Sequence, residues 1–454
     1  MPTQGIISNG IDYFLFFFYS ELLGLAASLT GLALAIALAC DAVADPLMGY
    51  LSDTWKSRWG RRHPFMYASI LPITALYVLV WFPPVGAHSQ WALFGYLLVV
   101  AILLRLSMTM FDVPMQTLVA ELTTDYDERT RLASLPITVS WVTSSLMTIA
   151  MYAYWLRNSA AHANGELNLG GYQQAAAVSG IVILASLIFA TAGLHPEIPR
   201  LHARTTEQVP GIRDLFQSFG ELLKNRSMRA LLLSGLFLAA GLGVDATLWL
   251  YQYSVFYGMS SHQMMVLTVS QLIATFAVIP VVGKYVVKGD KKVMAIRFLV
   301  ASVVISLILP PLHVMRWLPG SGSNGLMYLL IVYDFLSQLI WVVAAAILLS
   351  LCADVTDDVL LAAGKRLEGA IFAFQTLISK SAAAMGALLA GVLLTVIQYP
   401  VAGDGGRVPG PILARLGISY MLSWLVLCSI GIWLLSHYEI TRSSHAGEVR
   451  ALRE

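Results

Sequence analysis

The chain has 454 residues, 57% of them apolar and only 12% charged, with a formal net charge of +2 and a mean hydropathy of +0.72. A soluble domain carries roughly 25% charged residues. The composition therefore excludes a water-soluble protein and describes one whose surroundings are the lipid bilayer; nothing in so small a net charge points to nucleic acid.

Apolar runs of about 18 residues or more, each able to cross a hydrocarbon core roughly 30 Å thick, recur along the whole sequence. Breaking them at charge clusters and Gly/Pro turns gives twelve spans, at residues 6–28, 30–52, 65–84, 91–119, 134–156, 172–194, 229–256, 262–287, 293–314, 325–350, 367–396 and 412–437. The first run is longer than the apolar region of a signal sequence and lacks a cleavage site, so it reads as a helix of the mature protein. Most of the 28 Lys and Arg fall in alternate loops, in clusters such as Lys56/Arg58/Arg61/Arg62, Arg129/Arg131, Lys284 to Arg297 and Lys365/Arg366. The opposite loops hold Arg157, Arg316, Arg407 and Arg415. Basic residues collect on the cytoplasmic side, so both termini are expected there, in a plasma membrane that for a bacterium is the inner one.

The longest polar interruption, His195 to Arg229, divides the spans six and six. The layout expected is a bundle at 1–194, a cytoplasmic linker at 195–228, a second bundle at 229–437 and a tail at 438–454. Within the linker, "IRDLFQSFGELLKNRSM" reads as a short amphipathic surface helix with Leu215, Phe216, Phe219 and Leu222 on one side. Two six-helix halves joined in this way resemble the major facilitator superfamily, whose halves are internal repeats about a midplane site. The resemblance implies an all-α membrane protein of two pseudo-symmetric six-helix bundles, monomeric, with spans 1, 2, 4, 5, 7, 8, 10 and 11 around a central cavity.

Cys40, Cys352 and Cys428 lie in or beside apolar segments and suggest packing, not a disulfide framework. The sequence has no G-x-x-x-x-G-K-[ST] and no H-E-x-x-H, so neither an ATP-driven pump nor a zinc hydrolase is expected. No cofactor is expected either.

Charges inside spans cost roughly 2.5–3.5 kcal/mol each at the bilayer centre, so a chain keeps them where they pair or work. The acids are Asp12 (span 1), Asp41 and Asp45 (span 2), Asp112 (span 4), Asp245 (span 7) and Asp334 (span 10); the bases are Arg105 (span 4) and Lys380 (span 11). Acid outnumbers base, so bound cations or protons should supply the remainder. Asp41 and Asp45 are four apart and share a helix face about 6 Å from each other. Two such carboxylates repel, which raises the proton affinity of one or recruits a cation between them. The bland alternative is a polar pair that holds helices together by facing a buried Arg or Lys.

The stretch "CDAVADPLMGYLSDTWKSRWGRRHP" (40–64) carries the pattern Asp, three residues, Asp-Pro, Gly, then Arg-x-Gly-Arg before Pro, here Asp41, Asp45, Pro46, Gly49, Arg58, Gly60, Arg61 and Pro64. Together with "FFYSELLGLAASLTG" (16–31), "LRLSMTMFDVPMQTLVAELTTDYDERTRL" (104–132) and "ADVTDDVLLAAGKRLEGAIFAFQTLISKSAAAMGALLAG" (353–391), it resembles the glycoside-pentoside-hexuronide:cation symporters, the melibiose permease-like family of that superfamily. These landmarks bracket nearly the whole chain.

The resemblance implies that Asp41, Asp45 and Thr109 form the coupling-cation site, that Asp112 touches a small-molecule solute, and that Lys380 neutralises the acids in one state. It places Asp53 with Arg58, Arg61 and Arg62 at an inner gate; simple positive-inside signalling is the alternative. Departures from the family pattern are equally specific. An Asn that helps bind sodium is here Ala44, which favours a proton over sodium as coupling ion. Three sugar contacts fall on Gly5, Gln116 and Ile137. Asp12 and Arg105, two turns away from Gly5 and Asp112, are candidate replacements. Trp249 and Trp341 are candidate aromatic platforms for a sugar; an interfacial belt is the competing reading. Cation-coupled symport of a glycoside-like or hexuronide-like solute is therefore expected. The alternatives are a non-sugar amphiphile such as a lysolipid and a non-transporting sensor.

Overall fold

The computed structural model describes residues 2–55, 57–84, 89–121, 126–159, 162, 164–198, 220, 225–285, 290–363, 368–400 and 408–439. By proximity the chain divides into two compact units, built mainly from Met1–Ile212 and from Arg213–Leu389 with Arg407–Glu454. In the first unit, α1 starts at Pro2–Ser8 and continues through π-helical stretches at Asn9–Leu15 and Phe18–Leu22. It is followed by α2 (Ala27–Thr54), α3 (His63–Val80), α4 (Gln90–Glu121), α5 (Tyr126–Ala150, running into a π turn at Met151–Trp155) and α6 (Leu169–Leu194). The second holds α7 (Arg226–Leu250, then a π turn at Tyr251–Phe256), α8 (Ser261–Tyr285), α9 (Lys291–Ser306, resuming at Leu309–Val314), α10 (Asn324–Ala363), α11 (Glu368–Val396) and α12 (Gly410–Ser436).

Every expected span meets a helix. Among the described residues nine are long and apolar enough to cross a membrane: α2, α3, α4, α6, α7, α9, α10, α11 and α12. Helix ends differ from the expected ones where polar residues continue a helix. α5 starts at Tyr126, not 134, and α10 runs on to Ala363, not 350. Hydropathy marks the edge of the lipid, whereas a helix stops only when capping or geometry stops it. α7 begins at Arg226 because the Asn225 side chain accepts the Met228 N–H at 2.9 Å, so the last residues assigned to the linker belong to α7. Most of the amphipathic linker helix, most of the tail, Lys365/Arg366 and the side chains of Arg129, Arg131, Ile137 and Lys284 lie outside the described residues.

The two units repeat one local device. At the end of α1 the Leu23 N–H reaches back to Phe18 O at 3.1 Å and Leu25 N–H to Tyr19 O at 2.9 Å, with Gly24 at φ 73° between them. At the end of α7 the Tyr257 N–H reaches Gln252 O at 3.1 Å and Met259 N–H reaches Tyr253 O at 3.0 Å, around Gly258 at φ 71°. Only glycine takes that positive φ without strain. A carboxamide then ties each turn down: Gln90 accepts from Ala26 N–H and donates to Gly24 O, while Gln263 accepts from Ser260 N–H and donates to Gly322 O. The backbone turn repeats between the units, whereas the carboxamide comes from the start of α4 in one and of α8 in the other.

Small residues set the closest crossings. A Cβ on Gly5 of α1 would lie 2.3 Å from Ser140 O of α5, and one on Gly386 of α11 would lie 2.6 Å from the Gly243 backbone of α7. Apolar side chains gain little from leaving lipid for each other, so close backbone approach supplies the packing energy.

Candidate functional site

Two acids of α2 converge on one hydroxyl of α4. Thr109 Oγ1 lies 2.5 Å from Asp41 Oδ1 and 3.2 Å from Asp45 Oδ1. Asp41 is 2% exposed and Thr109 is buried, while Asp45 is half-buried. A threonine hydroxyl has one proton to give and two lone pairs to offer. If that proton goes to Asp41, the contact with Asp45 holds best when Asp45 brings a proton of its own or a cation sits beside the three oxygens. Chemically, three oxygens so placed can take up a small positive charge. α2 passes unbroken through Pro46; the proline ring removes one N–H from the ladder, and the freed acceptor is Ala42 O, one turn before.

Along α4, Arg105, Thr109, Asp112 and Gln116 follow spacings of three and four and fall on one stripe. Arg105 Nη2 is 3.4 Å from Asp12 Oδ1 of α1, with the two side chains 15% and 44% exposed. The pair is a single long contact whose acid is half-buried. Asp112 is half-buried and Gln116 exposed. Gly5, where the family places an acid, has no room for any side chain against Ser140. Asp12, the expected replacement, lies on the same helix.

At the other end of α2, Arg62 directs both Nε and Nη2 to Asp53 Oδ1, at 3.1 and 2.6 Å, and Arg61 Nε stands 3.9 Å away. Arg62 is 3% exposed. Arg58 does not join them: its guanidinium lies 5.2 Å over the Trp59 ring, because the turn at Ser57–Gly60 points it away. Of the gate cluster expected from sequence, the structure brings together Asp53, Arg61 and Arg62 among the described residues.

In the second unit, Lys380 of α11 is half-buried. Trp249 is buried with its ring 5.6 Å from that of Tyr253, and Trp341 packs 5.7 Å from Trp424. Asp245 accepts a hydrogen bond from Tyr420, and Asp334 accepts one from Tyr253 at 2.5 Å and another from Gln271 at 3.2 Å.

Sequence reasoning missed two polar sites in the first unit. Asn9, 1% exposed, donates to Thr148 Oγ1 at 2.5 Å across the α1–α5 contact. Glu166, also 1% exposed, accepts the Tyr152 hydroxyl at 2.9 Å beside Tyr172, which stacks on Trp81. Glu166 enters on the loop "NGELNLGG": Asn164 caps the Glu166 N–H, Asn168 holds Trp155 O, and side chains on Gly165 or Gly171 would collide with Leu156 O or Trp155 O. Its Asn and Gly content was the available signal.

Comparison with known proteins fixes the family. A family model described as MFS/sugar transport protein matches residues 1–442. The chain belongs to that family. An uncharacterized symporter of Synechocystis sp. is 27% identical over 97% of this chain and 92% of its own. The Escherichia coli protein YagG, whose name describes a glycoside/cation symporter, is 24% identical over 96% and 89%. The inward-open xylose transporter XylE of E. coli superposes with a TM-score of 0.59 at 13% identity, covering 99% of this chain and 98% of its own. At that identity the likeness shows the fold, which is the all-α superfamily fold expected. A member of this family is an integral membrane transporter and not an enzyme.

Proposed function

We propose that the chain is a cation-coupled secondary symporter that moves a small glycoside-like or hexuronide-like solute by alternating access. The observation that carries the reading is the Thr109 hydroxyl held between Asp41 and Asp45. Two acids and a hydroxyl in a buried setting bind one positive charge well and two poorly, and that occupancy shifts the access equilibrium as far as the two conformations differ in affinity for the charge. Asp45 is the ion carrier and Asp41 tunes it. A proton is favoured over sodium because sodium wants several oxygen ligands and Ala44 offers none. Symport accords with the names of the relatives reported above. Arg105 and Asp12 serve the solute together with Asp112, and Asp53 with Arg62 locks the inner end. The chain works as a monomer in a bacterial inner membrane, with both termini cytoplasmic.

Purified protein in proteoliposomes tests this by uptake of labelled glycosides, uronides and lysolipids under an imposed proton or sodium gradient. Concentrative uptake of a glycoside or uronide driven by the proton gradient is expected. Asp45→Asn should lose accumulation yet keep solute exchange, because coupling and solute binding are reciprocal but separable. Full gradient-driven accumulation by Asp45→Asn would refute the ion assignment. Accumulation of lysolipid alone would replace the solute assignment.

A further inference from the structure

The carboxylates and carboxamides of the second unit have no part in the reading above. Among the described residues, α8 and α10 are joined by three polar rungs. Gln263 Nε2 donates to Asn324 Oδ1 at 3.2 Å, Gln271 Nε2 to Asp334 Oδ2 at 3.2 Å, and Gln338 Nε2 to Thr275 Oγ1 at a long 3.5 Å. The rungs advance in the same direction along both helices. The last two lie four residues apart on each, which puts them on one face a single turn apart. Asp334, 5% exposed, uses its other oxygen to accept the Tyr253 hydroxyl from the π turn of α7. One buried carboxylate thus fixes a phenol and a carboxamide from two different helices.

The first rung belongs to the outer turn and is spent there, since Gln263 also holds Ser260 and Gly322. The other two are not spent. A glutamine has two N–H donors and a carbonyl with two lone pairs, and among the described residues Gln271 and Gln338 each use one donor in a side-chain contact. Both are half-buried, as are Tyr333 beside Asp334 and Trp341, three residues beyond Gln338. Asp245, near enough to act on Asp334 electrostatically, is engaged by Tyr420. The group offers hydrogen-bond donors and acceptors, with aromatic rings nearby and two carboxyl groups already engaged by phenols.

That chemistry discriminates among solutes. An acyl chain would leave the carboxamides unpaired, at a cost for every group covered. A solute carboxylate would face Asp334 and Asp245. A neutral ring carrying adjacent hydroxyls matches the groups, because each hydroxyl donates once and accepts twice.

We propose that Gln271 and Gln338, on adjoining turns of the α8–α10 rungs, form a half-site in the second unit for the hydroxyls of a neutral sugar ring, with Asp334 as the positioning residue that holds Gln271 and Tyr253 in place. This rests on the glycoside reading above and narrows it, from glycosides or uronides to uncharged glycosides.

The test is direct binding to the full chain in detergent, read by quenching of tryptophan fluorescence with 4-nitrophenyl glycosides of glucose, galactose and xylose. 4-Nitrophenyl glucuronide serves as the charged probe and 4-nitrophenol as the aglycone control. At least one neutral glycoside should bind, at least about tenfold tighter than the glucuronide. Gln271→Leu and Gln338→Leu should each weaken it roughly tenfold, the usual scale for leaving solute hydroxyls unpaired. Gln271→Asn and Gln338→Asn, which keep the polarity but shorten the reach, should weaken it similarly and serve where a leucine variant does not fold. Asp334→Asn should lower affinity for the glycoside and leave the weak quenching by nitrophenol unchanged, which a general loss of structure would not do. Wild-type affinity in folded glutamine variants would overturn the half-site while leaving the transporter reading intact. Equal or tighter binding of the glucuronide would overturn the neutral-solute assignment alone. A wild-type chain that binds none of the glycosides, charged or neutral, would overturn this inference and the glycoside reading together.

Discussion

Replacing Thr109 by valine removes one oxygen and changes volume little, so it tests the ion site with small steric disturbance. Thr109 Oγ1 stands 2.5 Å from Asp41 and 3.2 Å from Asp45, and both contacts are to ionisable partners. Hydrogen bonds to charged groups contribute about 1.5–3 kcal/mol each. The shorter bond is donated to Asp41 and favours its ionised form; taking tenfold per about 1.4 kcal/mol, its loss should raise the apparent affinity of the pair for a proton by roughly 10- to 150-fold, whereas sodium, deprived of an oxygen ligand, should bind more weakly. Thr109→Ser keeps the hydroxyl and should stay close to wild type. The assay is gradient-driven uptake in proteoliposomes as external pH and sodium are varied, with half-activation as the readout and thermal unfolding alongside. Valine should shift the half-activation point for the ion that couples. If valine lowers the melting temperature but leaves half-activation unmoved for both ions, the hydroxyl only packs α2 against α4, and the ion site lies elsewhere.

Asp53→Ala leaves the buried Arg62 guanidinium without its carboxylate; breaking such pairs costs about 3–5 kcal/mol when fully buried, and less here because Asp53 is 23% exposed. Counterflow should slow with solute affinity unchanged, whereas Arg58→Ala, whose side chain rests on Trp59, should leave counterflow as it was; equal effects would refute the lock. Gly5→Ala forces a Cβ toward Ser140 O and should cost roughly 3 kcal/mol of stability by overpacking, seen as a lower melting temperature in detergent; an unchanged value would show that α1 and α5 can separate there. Glu166→Gln keeps an acceptor for Tyr152 and should melt near wild type, while Glu166→Leu orphans that hydroxyl among aromatic rings at about 1–3 kcal/mol; identical melting of the two variants would remove Glu166 from the account of stability.

The sequence by itself determined the class, the twelve helices and the pairing of Asp41 with Asp45. Each of these is local: a run of apolar residues states its own need for lipid, and residues four apart on a helix share a face whatever surrounds them. The reach of Thr109 to that pair had to be borrowed from a family resemblance, since nothing in the spacing of α2 and α4 along the chain says which turns touch. Tertiary structure alone decided the rest. It showed that Gly5 has no room for an acid, that Arg58 turns to Trp59 while Arg62 takes Asp53, and that Asp334 joins Tyr253 to Gln271 across three helices. Glu166 illustrates the reason most plainly. In sequence it is one acid in a polar loop, and solvent is its expected partner. Only the packing of α1, α3, α5 and α6, with Asn164, Asn168 and two glycines shaping the loop, carries it beneath the surface to a tyrosine. Burial belongs to the assembled helices, and it is burial that makes a polar residue's partner matter.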